Sequence, residues 1–234
     1  MKSITPYRKN LIVTADDFGI SPVANENILL LAEDGKIDRV AVMTNGTWSA
    51  EDIERLKNSD VKLDIHLDLS ETIPAKRKMK EGVFMRGLKF MIRYASTYSR
   101  TRLQEMQWEK QFEEFKKIFG RYPDGINSHQ HIHFFPAYFK IIRKLAKKYA
   151  VHFIRFGKKG MIRSNSNVYR ILNPLRKLDA RLFAASGLDS TDYMISLDWV
   201  RDTKKLLESL VDNQIEIVCH PERPEEFELM RKYF

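Results

Sequence analysis

Short apolar runs alternate with helix-forming segments along the chain, and this order restricts the fold more than any other feature. Ser21 and Pro22 are residue types that begin a helix, and Gly35 is a type that ends one. Parallel strands joined by helical crossovers produce such an alternation, so the pattern predicts an α/β fold. From the apolar runs we predict strands at 11–15, 40–43, 61–65, 126–129, 151–156 and 214–219.

The runs amount to about six or seven strands, which suit either an open doubly wound sheet or a (β/α) barrel. Between the strands, a stripe formed by Phe112, Phe115 and Phe119 predicts a helix that Gly120 ends. We predict further helices at 49–57, 136–149, 165–186 and 197–211.

A single compact domain is expected over residues 1–234. Two segments depart from the alternation, one near 70–100 and the other near 164–190. The first is polar, basic and irregular, and Pro174 interrupts the helical pattern of the second. We expect both segments to be insertions over one end of the sheet.

Cys219 is the only cysteine, which excludes an intramolecular disulfide and a zinc site built on several cysteines. The basic stretch 1–10 precedes only a short apolar run, which is too short for the apolar core of a signal peptide. No run approaches the roughly 20 apolar residues that a membrane-spanning helix needs. These features predict a cytoplasmic protein.

The net charge of +9 is concentrated in segment 140–181, which contains thirteen Lys or Arg residues and one acid, Asp179. A segment this basic could attract a phosphate backbone, an anionic lipid or an acidic polysaccharide. We favour the interpretation that it is a solvated basic face of a soluble enzyme. No nucleic-acid-binding motif accompanies it, so we predict no specific nucleic-acid partner.

Reactive side chains follow four of the apolar runs at the points where those runs end. Asp16 and Asp17 follow the first predicted strand, and His66 ends the third. A histidine-rich stretch, 129–133, follows the fourth, and His220 follows the last. The carboxyl ends of the strands carry the binding site in folds of this class, so we expect these side chains to share one site.

Neighbouring carboxylates and neutral imidazoles, without a usable thiolate, suit a divalent ion with open positions for water and substrate. In an extended strand, His129 and His131 would share a face and could reach one ion, whereas His133 would lie about 13 Å from His129. Such an ion would activate water and polarise a carbonyl. This set of residues therefore predicts hydrolysis of an amide or an ester.

Three motifs resemble those of the YdjC-like carbohydrate deacetylases. They are the stretches Thr14–Ser21, Ser128–His133 and Cys219–Pro221, and their order and spacing also match. The resemblance runs from about Leu11 to Glu222, which is nearly the whole chain. It implies an irregular (β/α) barrel similar to that of the polysaccharide deacetylases. It also implies one divalent metal ion, commonly magnesium, although histidine donors favour zinc or another transition metal.

By this resemblance the metal ligands are Asp17, His66 and His129. Asp16 is the implied general base, which activates water for attack on the acetamide carbonyl of an N-acetylated amino sugar or short oligosaccharide. His220 is the implied acid or oxyanion-side partner. His131 and His133 are then expected to orient ligands and substrate.

Further substrate contacts are predicted from position alone. Asn45 follows the second strand, where a turn role is an equally good interpretation. Asp192 and Tyr193 are expected to contact sugar hydroxyls. The motif around His66 departs from the family pattern because it supplies an acid, Asp68, which leaves the substrate preference open.

Two other functions are consistent with parts of the sequence. A binding or regulatory protein would use segment 140–181 to engage an anionic partner. A glycosidase would use Asp16 or Asp17, but it needs two separated acids and no metal. The apolar stripe within 168–183 could also lie on an anionic membrane, although we favour its packing onto the barrel or onto a second subunit of a homodimer.

Overall fold

The computed structural model describes residues 8–69, 101–209 and 213–234. The segment near 70–100, which we expected to be an insertion, lies outside these ranges. The end of the helix predicted at 197–211 also lies outside them. The strands are β1 Leu11–Phe18, β2 Arg39–Val42, β3 Lys62–Leu67, β4 Gly125–Ser128, β5 Phe153–Ile154, β6 Gly160–Met161, β7 Tyr193–Ser196 and β8 Ile215–Cys219. The helices are α1 Pro22–Glu33, α2 Ala50–Lys57, α3 Thr101–Phe119, α4 Pro136–Lys148, α5 Asn167–Ala184, α6 Thr203–Ser209 and α7 Pro224–Tyr233, with short 3-10 helices at Arg8–Asn10, His129–Phe134 and Leu197–Trp199.

The eight strands form one parallel sheet in the order β5-β4-β3-β2-β1-β8-β7-β6. This is the cyclic order of a (β/α) barrel that is open between β5 and β6. The predicted α/β class and irregular barrel are therefore confirmed. The sheet has eight strands rather than about six or seven, because β6 has only two residues and β7 was not recognised from its sequence.

The first two helices begin at the caps that the sequence predicts, whereas the helix predicted at 197–211 begins only at Thr203 and α7 was not predicted. The Ser21 hydroxyl accepts a hydrogen bond from Ala24 N–H at the start of α1, with Pro22 at the first helical position. Ser49 and Asp52 form a reciprocal capping box on α2. These caps satisfy amide donors that the helices themselves leave unpaired.

The core lies between the sheet and the surrounding helices. Phe112 and Phe115 of α3 are fully buried, as their spacing predicts, and Phe112 stacks on Tyr149 with ring centroids 4.5 Å apart. On α5, the buried Phe183 stacks on Phe156 at 4.3 Å. Burying large aromatic side chains is worth about 1.5–3 kcal/mol each. These contacts hold the helices against the outside of the barrel.

The segment near 164–190 contains α5, which connects β6 to β7. Helix α5 continues through Pro174, so the interruption that we predicted there does not break the helix. The exposed Leu178 is the part of the apolar stripe that the barrel leaves uncovered. Within the described residues, no helix has both the length and the apolar character that a membrane crossing requires.

Candidate functional site

Asp16 and Asp17 occupy an irregular end of β1. The pairing of β1 with β2 shifts between Ala15 and Phe18, and Asp17 has a positive φ of 70°. A non-glycine residue in this region is strained, and such strain concentrates at functional sites. The irregularity places two consecutive acids at the same end of the barrel, with different neighbours.

Asp17, His66 and His129 converge from three elements of the barrel. Asp17 Oδ1 lies 3.1 Å from His66 Nε2 and 2.9 Å from His129 Nδ1. One ligand atom from each residue falls within 4.8 Å of the other two. Asp17 and His66 are buried, and His129 is partly accessible. The three predicted ligands therefore form a group that could hold a metal ion.

The donor chemistry of this group fits a metal. Two imidazoles and one carboxylate are the protein ligands of a common class of catalytic zinc site, which keeps a position open for water or substrate. Asn127 Oδ1 lies 2.6 Å from His66 Nδ1. If this amide oxygen accepts the Nδ1 proton, Nε2 is free as a ligand atom. Asn127 was not predicted from the sequence as a site residue.

The two histidines also keep Asp17 ionised. Burial raises the pKa of this carboxyl, but hydrogen bonds from His129 and His66 more than offset it and hold the pKa well below its usual value. An ionised carboxylate is the form that binds a cation.

Asp16 does not join this group but pairs with a buried arginine. Arg155 Nη1 and Nη2 each lie 2.7 Å from a different carboxylate oxygen of Asp16. Arg155 Nε donates to Glu216 Oε1 at 2.8 Å, and the Thr14 hydroxyl donates to the same oxygen. All four side chains are buried. Burial raises the pKa of Asp16, but the Arg155 charge outweighs it and lowers the pKa to about 2.

Arg155 and Glu216 are functional candidates that our sequence analysis missed. Each is a charged residue inside a run that we predicted as an apolar strand. Charges at such positions are almost never fully buried without a partner. One positive and one negative residue in separate predicted strands could therefore have indicated a buried ion pair.

The histidine-rich stretch is not extended, so the strand spacing that we assumed for it is wrong. Strand β4 ends at Ser128, and His129–Phe134 forms a 3-10 helix in which Gln130 and His131 have positive φ. His133 is fully buried, with Nδ1 2.6 Å from Ser128 Oγ and Nε2 2.9 Å from the Arg155 carbonyl oxygen. Both nitrogens of His133 are thus engaged by protein atoms, and it supports the strand end rather than facing a substrate.

His131 lies between His133 and Trp199, with ring centroids 6.2 and 5.8 Å away. Its Nδ1 is buried and has no hydrogen-bond partner within the described part of the chain. Burial and the nearby Arg155 charge hold its pKa well below the usual value, so the ring is neutral. A neutral ring with an unused nitrogen remains available for a ligand.

His220 follows β8, and its ring is close enough to Asp16 and Asp17 to interact with their charges. Burial disfavours the charged ring, but the carboxylates of Glu226, Asp16 and Asp17 outweigh it and raise the pKa to about 9. The ring is therefore mainly protonated at neutral pH.

The remaining predicted contacts fall in different places. Asn45 is exposed on the loop after β2, where its amide donates to both carboxylate oxygens of Asp68 at 3.0 Å. Asp192 and Tyr193 instead stand at the amino end of β7, opposite the strand ends that carry the site. This position does not support the predicted contact with sugar hydroxyls, which was made without recognising β7 in the sequence.

Two lysines of the basic segment 140–181 are paired with acids. Lys144 and Lys148 of α4 form ion pairs with Glu105 and Glu109 of α3, at 3.1 and 2.8 Å. These acids neutralise part of the basic face. Within the described residues, neither contact with an anionic membrane nor a homodimer finds support.

Comparisons with known proteins agree with the geometry. Carbohydrate deacetylases from Mus musculus and Halalkalibacterium halodurans are each 28% identical to the chain, over 63% and 90% of its length. The matched part is 50% of the mouse protein and 84% of the bacterial one, so the chain spans about half the length of the vertebrate relatives that it matches. A chitooligosaccharide deacetylase from Escherichia fergusonii is 24% identical over 90% of the chain and 81% of that protein.

The fold also has a counterpart among solved structures. The crystal structure of a proposed cellobiose-phosphate cleavage protein from Enterococcus faecalis matches 90% of this chain and 80% of its own, with a TM-score of 0.60 and 19% identity. The family profile described as YdjC-like protein matches residues 10–232. The resemblance seen in the motifs is thereby confirmed, and the chain belongs to the YdjC-like family.

Proposed function

We propose that this protein is a metal-dependent carbohydrate deacetylase, which hydrolyses the N-acetyl group of an amino sugar or of a short oligosaccharide. The observation that carries the proposal is the convergence of Asp17, His66 and His129 beside a second, separately held carboxylate, Asp16. Relatives named carbohydrate deacetylase and chitooligosaccharide deacetylase support the same reaction class.

The ligand group would hold one divalent cation. When bound, such an ion lowers the pKa of water and polarises a carbonyl group. Magnesium is the expectation from the family resemblance, whereas two imidazole donors favour zinc or another transition metal. Asn127 keeps the His66 ring in the orientation that directs Nε2 toward Asp17.

Asp16 is the general base in this proposal. It is ionised at neutral pH, and Arg155 fixes its orientation through both oxygens. Each carboxylate oxygen has a second lone pair, so the ion pair leaves an acceptor for the proton of an attacking water. The pairing with Arg155 makes the base weaker but holds it in one position.

His220 is the proton donor to the departing amine nitrogen. Its raised pKa supplies a proton at neutral pH, and the amine needs one because an amide nitrogen leaves poorly as an anion. His131 is assigned to orient the substrate through its neutral ring, and Asn45 lies on the rim of the same strand ends. We also propose a cytoplasmic location, on the ground that Cys219 is a free, buried thiol.

The alternative of a non-catalytic binding protein is less well supported. It requires segment 140–181 to be an open cationic surface, whereas Lys144 and Lys148 are paired with acids of α3. A two-carboxylate glycosidase is also disfavoured, because it needs two separated acids that flank the scissile bond. Asp16 is instead paired with Arg155, and Asp17 is bound by two histidines.

Metal analysis combined with acetate release tests the proposal. The purified protein would be analysed for bound metal and assayed on short chitooligosaccharides, before and after chelation and after addition of zinc or magnesium. We expect acetate release that chelation abolishes and one of the metals restores. Acetate release that persists in a metal-free protein would contradict the metal assignment, and no release with any metal would contradict the reaction.

A further inference from the structure

We propose that Glu226 is a positioning residue that orients the His220 ring for proton donation. This inference rests on the proposed function, because it assigns a partner to the proposed acid. Glu226 lies in the first turn of α7 and is only 5% exposed, whereas its neighbour Glu225 is exposed. A buried carboxylate in a short surface helix requires partners, and those partners indicate its role.

Glu226 touches His220 at two points. Its Oε2 accepts a hydrogen bond from the His220 backbone N–H at 2.8 Å. The same oxygen lies 3.6 Å from His220 Nδ1. That nitrogen is buried, and within the described ranges it has no hydrogen-bond partner, so the contact with Glu226 is an ion pair. The carboxylate lies within ion-pair distance of Nδ1, so a small ring rotation would let it accept the Nδ1 proton and leave Nε2 for a substrate.

The other oxygen of Glu226 is fixed as well. Arg223 Nη1 donates to Glu226 Oε1 at 2.8 Å and lies 3.3 Å from Asp198 Oδ2. Asp198 in turn accepts a hydrogen bond from the Ser196 hydroxyl at the end of β7. The arginine bridges Glu226 and Asp198 and so ties α7 to the strand end beside Trp199.

Three other acids lie near His220. Asp16 and Asp17 belong to β1, and Glu222, two residues after His220, lies 3.7 Å from Arg223 Nε. Asp16 is held by Arg155, and Asp17 by His66 and His129. Glu226 is therefore the acid, among those described, that directly contacts His220 without also serving the metal group or Arg155. A carboxylate that orients a histidine in this way acts through the histidine and does not touch the substrate.

The experiment compares Glu226→Gln with the matched control Glu225→Gln, which alters an exposed acid in the same turn. Ring nitrogen signals of His220, assigned by comparison with His220→Asn, would be recorded by ¹H–¹⁵N NMR. Metal content, the melting temperature, kcat and KM would be measured on the same samples. For Glu226→Gln we expect a changed Nδ1 signal and a kcat lowered at least about 10-fold, with KM within about 2-fold and metal content unchanged.

Glu226→Asp, which keeps the charge on a shorter side chain, should recover part of both kcat and the Nδ1 signal. The inference is overturned if Glu226→Gln retains the wild-type ring signals and kcat, or if Glu225→Gln causes the same changes. If Glu226→Gln does not fold, the wild-type spectrum still decides, because a His220 ring without a proton on Nδ1 contradicts the inference. A wild-type protein that releases no acetate would contradict the proposed function, whereas the ring measurement would still test the role of Glu226.

Discussion

Arg155 binds both carboxylate oxygens of Asp16 at 2.7 Å, and both side chains are buried. A bidentate pair of this kind is geometrically specific, because the guanidinium fork matches the carboxylate. The same guanidinium also donates to Glu216 through Nε. One buried cation therefore compensates two buried acids from strands β1 and β8.

Asp16→Asn should retain bound metal and lose most of its activity. The substitution removes the proton acceptor but leaves Asp17, His66 and His129 unchanged. We expect kcat to fall about 10²- to 10⁴-fold, the usual contribution of a general base. Metal analysis and acetate release, measured well below the melting temperature of the variant, test this. Wild-type turnover by Asp16→Asn would remove Asp16 as the base.

Arg155→Met should destabilise the protein strongly. It leaves the carboxylates of Asp16 and Glu216 buried without their cation, and breaking a buried pair in this way costs about 3–5 kcal/mol. Urea unfolding at neutral pH measures the loss. Adding Glu216→Gln to this variant removes one uncompensated charge and should recover part of the stability. If Arg155→Met alone is as stable as the wild type, the ion pairs of Arg155 with Asp16 and Glu216 contribute nothing to stability.

Asn127→Ala should weaken metal binding without removing a ligand. The amide of Asn127 orients His66, and losing such a supporting group typically costs about 10- to 100-fold in metal affinity. Competition with a chromophoric chelator measures the affinity. Asn165→Ala, at an exposed position, is the matched control. Equal affinities for Asn127→Ala and the control would argue against this role.

Asp179→Asn should stabilise the protein above neutral pH. Burial raises the pKa of Asp179 to about 7, although the charges of Lys140 and Arg143 oppose the shift. Because the folded pKa is higher than the ordinary value of 3.8, the stability of the folded state is greatest while Asp179 is protonated and falls as the pH rises toward 7. The asparagine variant avoids this loss.

We expect the melting temperature of Asp179→Asn to exceed that of the wild type by about 2–4 °C at pH 8. The difference should become small near pH 4, where the wild-type carboxyl is neutral in the folded state. Asp60→Asn, at an exposed site, provides the control for a general charge effect. A pH-independent difference would contradict ionisation of Asp179 as the cause.

The sequence by itself determined the class of fold and the edge of the sheet at which the reactive side chains meet. Parallel strands place their carboxyl ends at one edge, so the acids and histidines that follow them were expected to lie together. The choice of Asp17, His66 and His129 among them came from the family resemblance. The helix caps at Ser21 and Ser49 could also be predicted from the sequence, because the hydrogen bonds of a cap involve residues only a few positions apart.

Only the tertiary structure decided which charges pair inside the barrel. Arg155 and Asp16 are 139 positions apart, and no local periodicity relates them; they meet because curvature of the sheet brings β1 and the end of β5 together. The turn at His129–Phe134 and the amino-end position of Asp192 also depend on where strands end in the sheet. A two-residue strand such as β6 leaves almost no period-2 signal, because its pairing is set by its neighbours rather than by its own side chains.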